Sequence, residues 1–201
     1  KQEKIDQHYK HTSLFLESLL RPDHFLYGQY MLNKTSCNLW HDIVCRLLVE
    51  NKEIFAKRGV AVGEIAQGLE ETEDIELKAD KGLMAQVVAN LFSNAAKYAQ
   101  SIVDENGETR KIVRCNVTKL NDFFGHGHHA IRFCVLSSGP PIDESNSTQV
   151  FEEGFRLSHP GKTEGTGHGL HFVKNVVEVH GGVVGHNAKE QGNEFFFVVP
   201  Q

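Results

Sequence analysis

Cysteine, proline, methionine and tryptophan are all scarce in this chain: four, five, two and one among 201 residues. Cys37, Cys45, Cys115 and Cys134 show no C-x-x-C spacing, so they read as reduced, mostly buried thiols of a cytosolic protein. A chain of this length can remove roughly 70% of its unfolded surface from water, so it needs no disulfide or metal staple. Long apolar runs are also missing. The longest, Phe195–Val199, is strand-sized and falls far short of the roughly 18–20 residues that span a bilayer. The N-terminal stretch KQEKIDQHYK carries no apolar signal-peptide core. Basic excess is absent too: 21 Lys and Arg stand against 26 Asp and Glu, for a formal charge of −5 and a pI near 6.2. That balance implies no basic face and argues against a general nucleic-acid binder. No internal repeat is visible.

What is present is the composition of a folded globular protein, 40% hydrophobic and 23% charged, with 18 glycines. Disorder, collagen and low-complexity classes are excluded. Histidine is abundant at 12 residues, and composition alone does not explain it.

Hydrophobic periodicity predicts a first helix over Lys1–Leu20, with Ile5, Tyr9, Thr12, Leu16 and Leu19 on a narrow face that needs a partner helix. Pro22 ends or bends it, and Asp23–Thr35 is a connector. A second helix is expected over Leu39–Arg58, lined by Leu39, Ile43, Leu47 and Ile54. Short strands at Val60–Val62 and Ile75–Ala79 flank an acidic loop, Glu70–Asp74, and Asp80 is a fitting N-cap for a helix over Lys81–Gln100. Strands follow at Lys111–Lys119 and His129–Leu136, joined by a turn over Asn121–His128. Ser137–Gly169 is polar, glycine-rich and too long to be a passive connection. A helix over Leu170–His180, stopped by Gly181-Gly182, leads to strands at Val183–His186 and Glu194–Val199 around a turn containing Gly192-Asn193. This order predicts an α+β fold, a two-layer α/β sandwich in which helices cover one face of a mixed sheet.

The helix over 81–100 carries the most chemistry. Met84, Val87, Val88, Leu91 and Ala95 form a core stripe. Gln86, Asn90, Asn94 and Lys97 recur about one turn apart on a face roughly 120° away. Three carboxamides and an ammonium there can hold a hydrated cation together with an anionic chain, and magnesium suits one Asn oxygen plus phosphates and waters. Taken alone, the same pattern also fits an ordinary solvated face. Two glycine-rich segments bear on that choice. Val135–Ile142 (VLSSGPPI) ends a strand in a glycine turn, and Gly165–Leu170 (GTGHGL) puts alternate glycines at a helix start, where backbone amides and the helix dipole favour phosphate.

Together these segments resemble the ATP-binding domain of sensor histidine kinases, in the superfamily shared with gyrase. QVVANLFSNAAKYA (Gln86–Ala99) resembles the N box, VLSSGPPI the first glycine box, VFEEGFR (Val150–Arg156) the F box, and GTGHGLHFVKNVVEVHGG (Gly165–Gly182) the second glycine box. GNEFFFVVP (Gly192–Pro200) is similar to the family's last strand. Four motifs in order, from about Cys37 onward, make the match specific.

The resemblance implies two regions: residues 1–35 as the tail of a dimerisation helix with its connector, and residues 36–201 as the ATP-binding domain. It implies that Asn94 ligates magnesium with Asn90 beside it, that Lys97 contacts phosphate and that Tyr98 packs on the nucleotide. Ser137 and Gly139 line the adenine end, and Gly165, Thr166, Gly167, His168, Gly169 and Leu170 gather round the phosphates. Residues from about Asp143 to Glu164 form a mobile lid anchored by Phe151 and Phe155, and Arg156 reaches the γ-phosphate. The implied activity is transfer of the ATP γ-phosphate to a protein histidine, with ATP and Mg2+ as cofactors. The implied partners are the phosphoacceptor domain of the same protein, as a homodimer, and a response regulator. The implied location is the cytoplasm, including the cytoplasmic part of a membrane sensor, with no nucleic-acid or membrane contact.

Three departures stand out. The aspartate of the first glycine box is Ser137, and its second glycine is Pro141, which lacks a backbone donor. The family's acceptor-histidine box is missing, since His8 and His11 in QHYKHTS lack its pattern. No catalytic nucleophile is therefore assigned. The alternative reading is a degenerate domain acting as a non-catalytic signalling module, whereas an anti-sigma-type serine kinase fits neither the first helix nor the EVHGG helix end. GHGHH (Gly125–His129) could ligate zinc or nickel, but no acidic or cysteine partner follows at a ligand spacing, and a plain polar turn accounts for it.

Overall fold

Four phenylalanines, two from helices and two from neighbouring strands of the sheet, form one buried row. Phe55 meets Phe92 edge-on with 5.9 Å between ring centroids, Phe92 meets Phe133 at 6.0 Å, and Phe133 leans on Phe197 at 5.3 Å. All four are essentially inaccessible to water. Edge-to-face pairs of this kind add to the burial that aromatic side chains already supply.

The structure, a computed structural model, describes residues 32–60, 75–103, 107–157 and 167–201. Residues 33–201 form one compact unit. The expected helix over 1–20, most of the connector after it, the acidic loop 70–74, and Gly165 and Thr166 lie outside the described residues.

Strand β1 (Thr35–Asn38) pairs antiparallel with β2 (Glu76–Ala79). Between them come a π-helical turn (Leu39–Val44) and two short helices, α1 (Cys45–Glu50) and α2 (Lys52–Lys57). Helix α3 (Lys81–Tyr98) follows β2, and the small hairpin β3 (Ile102–Val103) and β4 (Thr109–Arg110) leads to β5 (Val113–Leu120) and β6 (Ala130–Ser138). Two 3-10 turns, Glu144–Asn146 and Gln149–Phe151, precede α4 (Gly169–Val179), β7 (Val183–Lys189) and β8 (Gly192–Pro200). The main sheet has the order β5-β6-β8-β7, antiparallel throughout. The parallel pairing among the described residues is an isolated bridge, Val60 to Lys111, outside these strands.

Asp80 starts α3 as the sequence suggests, its carboxylate accepting from the amides of Gly82 at 3.1 Å and Leu83 at 3.2 Å. The stripe Met84, Val87, Val88, Leu91 and Ala95 is buried, joined by Leu83, Phe92 and Ala96. Helix α4 buries Phe172, Val173, Val176 and Val177. Gly181, at φ +82°, ends it with its amide bonded to the Glu178 carbonyl. Gly182 has a second role, because a Cβ there would stand 2.3 Å from the Val198 carbonyl oxygen, so α4 leaves against β8 with no room for a side chain.

Several local expectations change. The helix expected over 39–58 is broken at Asn51, where the side-chain amide at 2.8 Å and the backbone amide at 2.9 Å share the Leu47 carbonyl. The break shifts the inward face, so Ile54 is 45% exposed and Phe55 is buried in its place. Strand β1 and the β3–β4 hairpin, too short and polar for a periodic signal, fall in stretches read as connections. Asn193 belongs to β8, paired with Ser137, rather than to the turn before it.

Candidate functional site

The C-terminal half of α3 gathers both glycine-rich segments. At its middle, the start of α4 packs onto the two asparagines: a Cβ on Gly169 would stand 3.2 Å from Asn90 Oδ1 and 3.9 Å from Asn94 Nδ2. A Cβ there would press on the Asn90 side chain. Asn90 is fixed in turn, since its Nδ2 donates to the Gln86 carbonyl at 3.0 Å. The amide groups and the start of α4 therefore share one surface, where the unpaired N–H groups of a helix N-terminus attract anions.

At the end of α3 the first glycine turn is fastened. The Gln100 amide donates to the Ser138 carbonyl at 2.8 Å, and Ser138 Oγ donates to the Gln100 carbonyl at 2.7 Å while accepting from the Ile112 amide at 2.9 Å. Gly139 sits at φ +145°, open only to glycine, with Gln100 Cβ 3.5 Å from where its own Cβ would be. Ser137 is buried in β6 directly opposite Asn193.

Of the other predicted site residues, Lys97 and Tyr98 form one unit, the ammonium lying 4.9 Å from the ring centroid. Tyr98 is 44% exposed and Arg156 is exposed as well. His168 is the N-cap residue of α4 and its side chain makes no capping bond, while Leu170 is half-buried in the first turn. Gly167, at φ +79°, has no room for a Cβ, which would stand 2.9 Å from the Gly154 carbonyl carbon. The F box and the second glycine box thus meet backbone to backbone.

The expected lid region begins in folded form. Val150 and Phe151 are buried and Phe155 half-buried. Phe151 packs edge-on against Phe195 at 6.1 Å, its carbonyl is bonded to His171 Nδ1 at 3.2 Å, and Glu152 pairs with Lys174 at 2.9 Å. These contacts hold residues 150–152 to α4 and β8.

Sequence reasoning missed Gln100, Ser138, Gly154, His186 and Asn193. Asn193 Oδ1 accepts from the Ile142 amide at 2.7 Å, its Nδ2 donates to the Pro140 carbonyl at 2.9 Å, and His186 Nε2 lies 3.0 Å from Oδ1. A polar residue in the alternating pattern of β8 was the available signal. Burial lowers the pKa of His186, opposed by its bond to Asn193 and the nearby Glu194 carboxylate. The cysteines offer no chemistry: all four are free, three are buried, and burial pushes the Cys115 thiol up to about 12. GHGHH forms an exposed turn in which Asp122 Oδ1 accepts from the Gly127 amide at 2.6 Å.

Magnesium fits the donors that stand together here. They are carboxamide groups beside a helix N-terminus, and a hard cation that keeps its waters and shares phosphate oxygens suits such a set.

Known proteins are similar to this chain in sequence and in fold. The adaptive-response sensory kinase SasA of Rippkaea orientalis is 27% identical over 166 residues, covering 81% of this chain and 38% of its own length. The sensor histidine kinase CusS of Escherichia coli K12 is 28% identical over 127 residues, covering 62% and 23%. The chain therefore spans well under half the length of these relatives. Full-length ShkA in complex with AMPPNP superposes with a TM-score of 0.63 at 21% identity, over 85% of this chain and 31% of that one. Histidine kinase ThkA in complex with the response regulator protein TrrA superposes at 0.59 and 23% identity, over 94% and 48%. At these identities the structural likeness establishes the fold. Residues 79–201, more than half of the chain, match the family described as histidine kinase-, DNA gyrase B- and HSP90-like ATPase, and the chain belongs to that family.

Proposed function

We propose that this chain is the nucleotide-binding catalytic part of a two-component sensor histidine kinase, presenting ATP to a histidine carried elsewhere in the full-length protein. The observation that carries the reading is the packing of Gly169 against Asn90 and Asn94, which puts the second glycine box on the amide face of the N-box helix. The names of the relatives SasA and CusS, and the AMPPNP complex of ShkA, support it.

The chain's own residues contribute binding and orientation. Asn94, with Asn90 beside it, would hold Mg2+, which would supply charge neutralisation for the phosphates. The amides at the start of α4, with Gly167 and Gly169 allowing close approach, receive the phosphates, and Lys97 adds a cation. Ser137 and Gly139 border the base, Tyr98 flanks the nucleotide, and Arg156 serves the γ-phosphate. With the nucleophile supplied by another region, what remains for this domain is positioning and charge stabilisation. The phosphoacceptor domain of the same protein and a response regulator complete the reaction, the latter supported by the ThkA–TrrA complex. The location we propose is the cytoplasm; no helix among the described residues is long and apolar enough to cross a membrane.

The test is calorimetric titration with Mg-ADP. The wild-type chain binds, and Asn94→Ala loses magnesium-dependent binding while melting cooperatively, since Asn94 lies off the buried stripe of α3. An Asn94→Ala variant that binds Mg-ADP as wild type does would overturn the assignment.

A further inference from the structure

Pro140 and Pro141 leave the first glycine turn without two backbone donors, and the structure shows what fastens it instead. The Gly139 amide bonds the Gln191 carbonyl at 3.0 Å. Beyond that point the turn is held by one side chain. Asn193 reaches across from β8, accepts from the Ile142 amide and donates to the Pro140 carbonyl, spanning both prolines.

We propose that Asn193, oriented by His186, is a positioning residue for the nucleotide, setting the Gly139–Ile142 turn that borders the base. This rests on the nucleotide-site reading above and adds two residues that do not themselves touch ligand.

Chemistry fixes the orientation of the whole chain of bonds. The Ile142 amide can only donate and the Pro140 carbonyl can only accept, so the Asn193 oxygen and nitrogen have one arrangement. With Oδ1 as acceptor, His186 Nε2 must carry the proton it donates. In the neutral ring Nδ1 is then an acceptor, 3.0 Å from Ser147 Oγ, which donates to it. His186 is buried and packed on Phe195 at 4.9 Å between centroids, so it has little freedom to release the amide. Ser147 follows the turn Glu144–Asn146, so the same network ties the start of the lid region to the first glycine turn. A polar network centred on the buried His186 and Asn193 specifies one arrangement more sharply than apolar packing would.

The experiment pairs Mg-ADP calorimetry with amide hydrogen exchange at Ile142 in the wild-type chain, Asn193→Ala, His186→Phe and the double variant. In Asn193→Ala the Ile142 amide exchanges faster, and ADP affinity falls by about tenfold, the worth of one or two buried hydrogen bonds. His186→Phe, which keeps an aromatic ring on Phe195, moves both readouts the same way but less. The double variant is no worse than Asn193→Ala, because His186 acts through Asn193. Asn193→Asp keeps the acceptor for the Ile142 amide but sets a carboxylate oxygen against the Pro140 carbonyl, so Ile142 exchanges more slowly than in Asn193→Ala while ADP still binds more weakly than to wild type, which keeps the test open if Asn193→Ala fails to melt cooperatively. Unchanged ADP affinity in a folded Asn193→Ala, with faster Ile142 exchange, reduces the network to a structural one and overturns the proposal. In that case Asn94→Ala still tests the site reading on its own. Absence of ADP binding by the wild-type chain overturns both.

Discussion

Asp80 and His180 meet across the helical layer: the Asp80 backbone amide donates to His180 Nε2 at 3.1 Å. The other ring nitrogen, Nδ1, donates to the Val176 carbonyl at 2.7 Å. One buried imidazole therefore joins the N-cap of α3 to the C-terminal turn of α4, and it does so only when neutral, since Nε2 must accept.

Burial lowers the pKa of His180 below the ordinary histidine value near 6.5. His186 is lowered for the same leading reason. The unfolded chain therefore binds more protons than the native one as the pH falls through that value. Stability from these histidines is complete above about pH 6.5 and is lost progressively below it. Melting temperature should decline between pH 7 and 5.5, and His180→Gln, which carries no charge at any pH, should flatten that slope.

Phe92 of α3 touches Phe55 of α2 on one side and Phe133 of the sheet on the other. Its replacement by alanine should cost about 3–5 kcal/mol, as removal of a fully buried aromatic does. Urea unfolding checks this through a lower midpoint.

Two glycines of α4 and its exit should respond differently. Gly182→Ala drives a Cβ to within 2.3 Å of the Val198 carbonyl, a backbone atom that cannot step aside, and should destabilise by about 1–3 kcal/mol or more. Gly169→Ala gains helix propensity of up to about 1 kcal/mol but presses on Asn90 Oδ1, whose amide is tied to Gln86. It should melt no lower than wild type while binding Mg-ADP more weakly. Melting and calorimetry on the two variants separate the outcomes.

Ser137→Asp should tighten ADP by about 1–2 kcal/mol, roughly tenfold, because charge-assisted hydrogen bonds exceed neutral ones by that margin. Adenine preference over guanine should sharpen as well, since a hydroxyl can both donate and accept and a carboxylate only accepts. Paired titrations with ADP and GDP against both proteins test this. Weaker ADP binding by Ser137→Asp would show a pocket reshaped for another use.

The parts of the fold legible in the sequence are those with strong local physics. Asp80 followed by a periodic stripe marks α3, Gly181-Gly182 marks the end of α4, and alternation marks β5 and β6. The amide face of α3 and the glycine boxes were legible through residue type and order. What escaped depends on contacts between distant segments. Nothing local tells that Thr35–Asn38 would find Glu76–Ala79. Asn193 looked like a turn residue because its partners, Pro140, Ile142 and His186, come from elsewhere in the chain.

Strand β8 lies between β6 and β7, so its residues 192–200 pair on one side with residues 130–138. No hairpin can supply that ladder, because the chain must first travel through the glycine-rich segment and α4. The sheet therefore lacks its centre until a long loop has closed, and the two phenylalanines Phe133 and Phe197 meet only then. Folding should be slowed by this non-local step. A nascent chain that has emerged only as far as β7 would expose the open edge of β6, a surface that invites pairing with other chains.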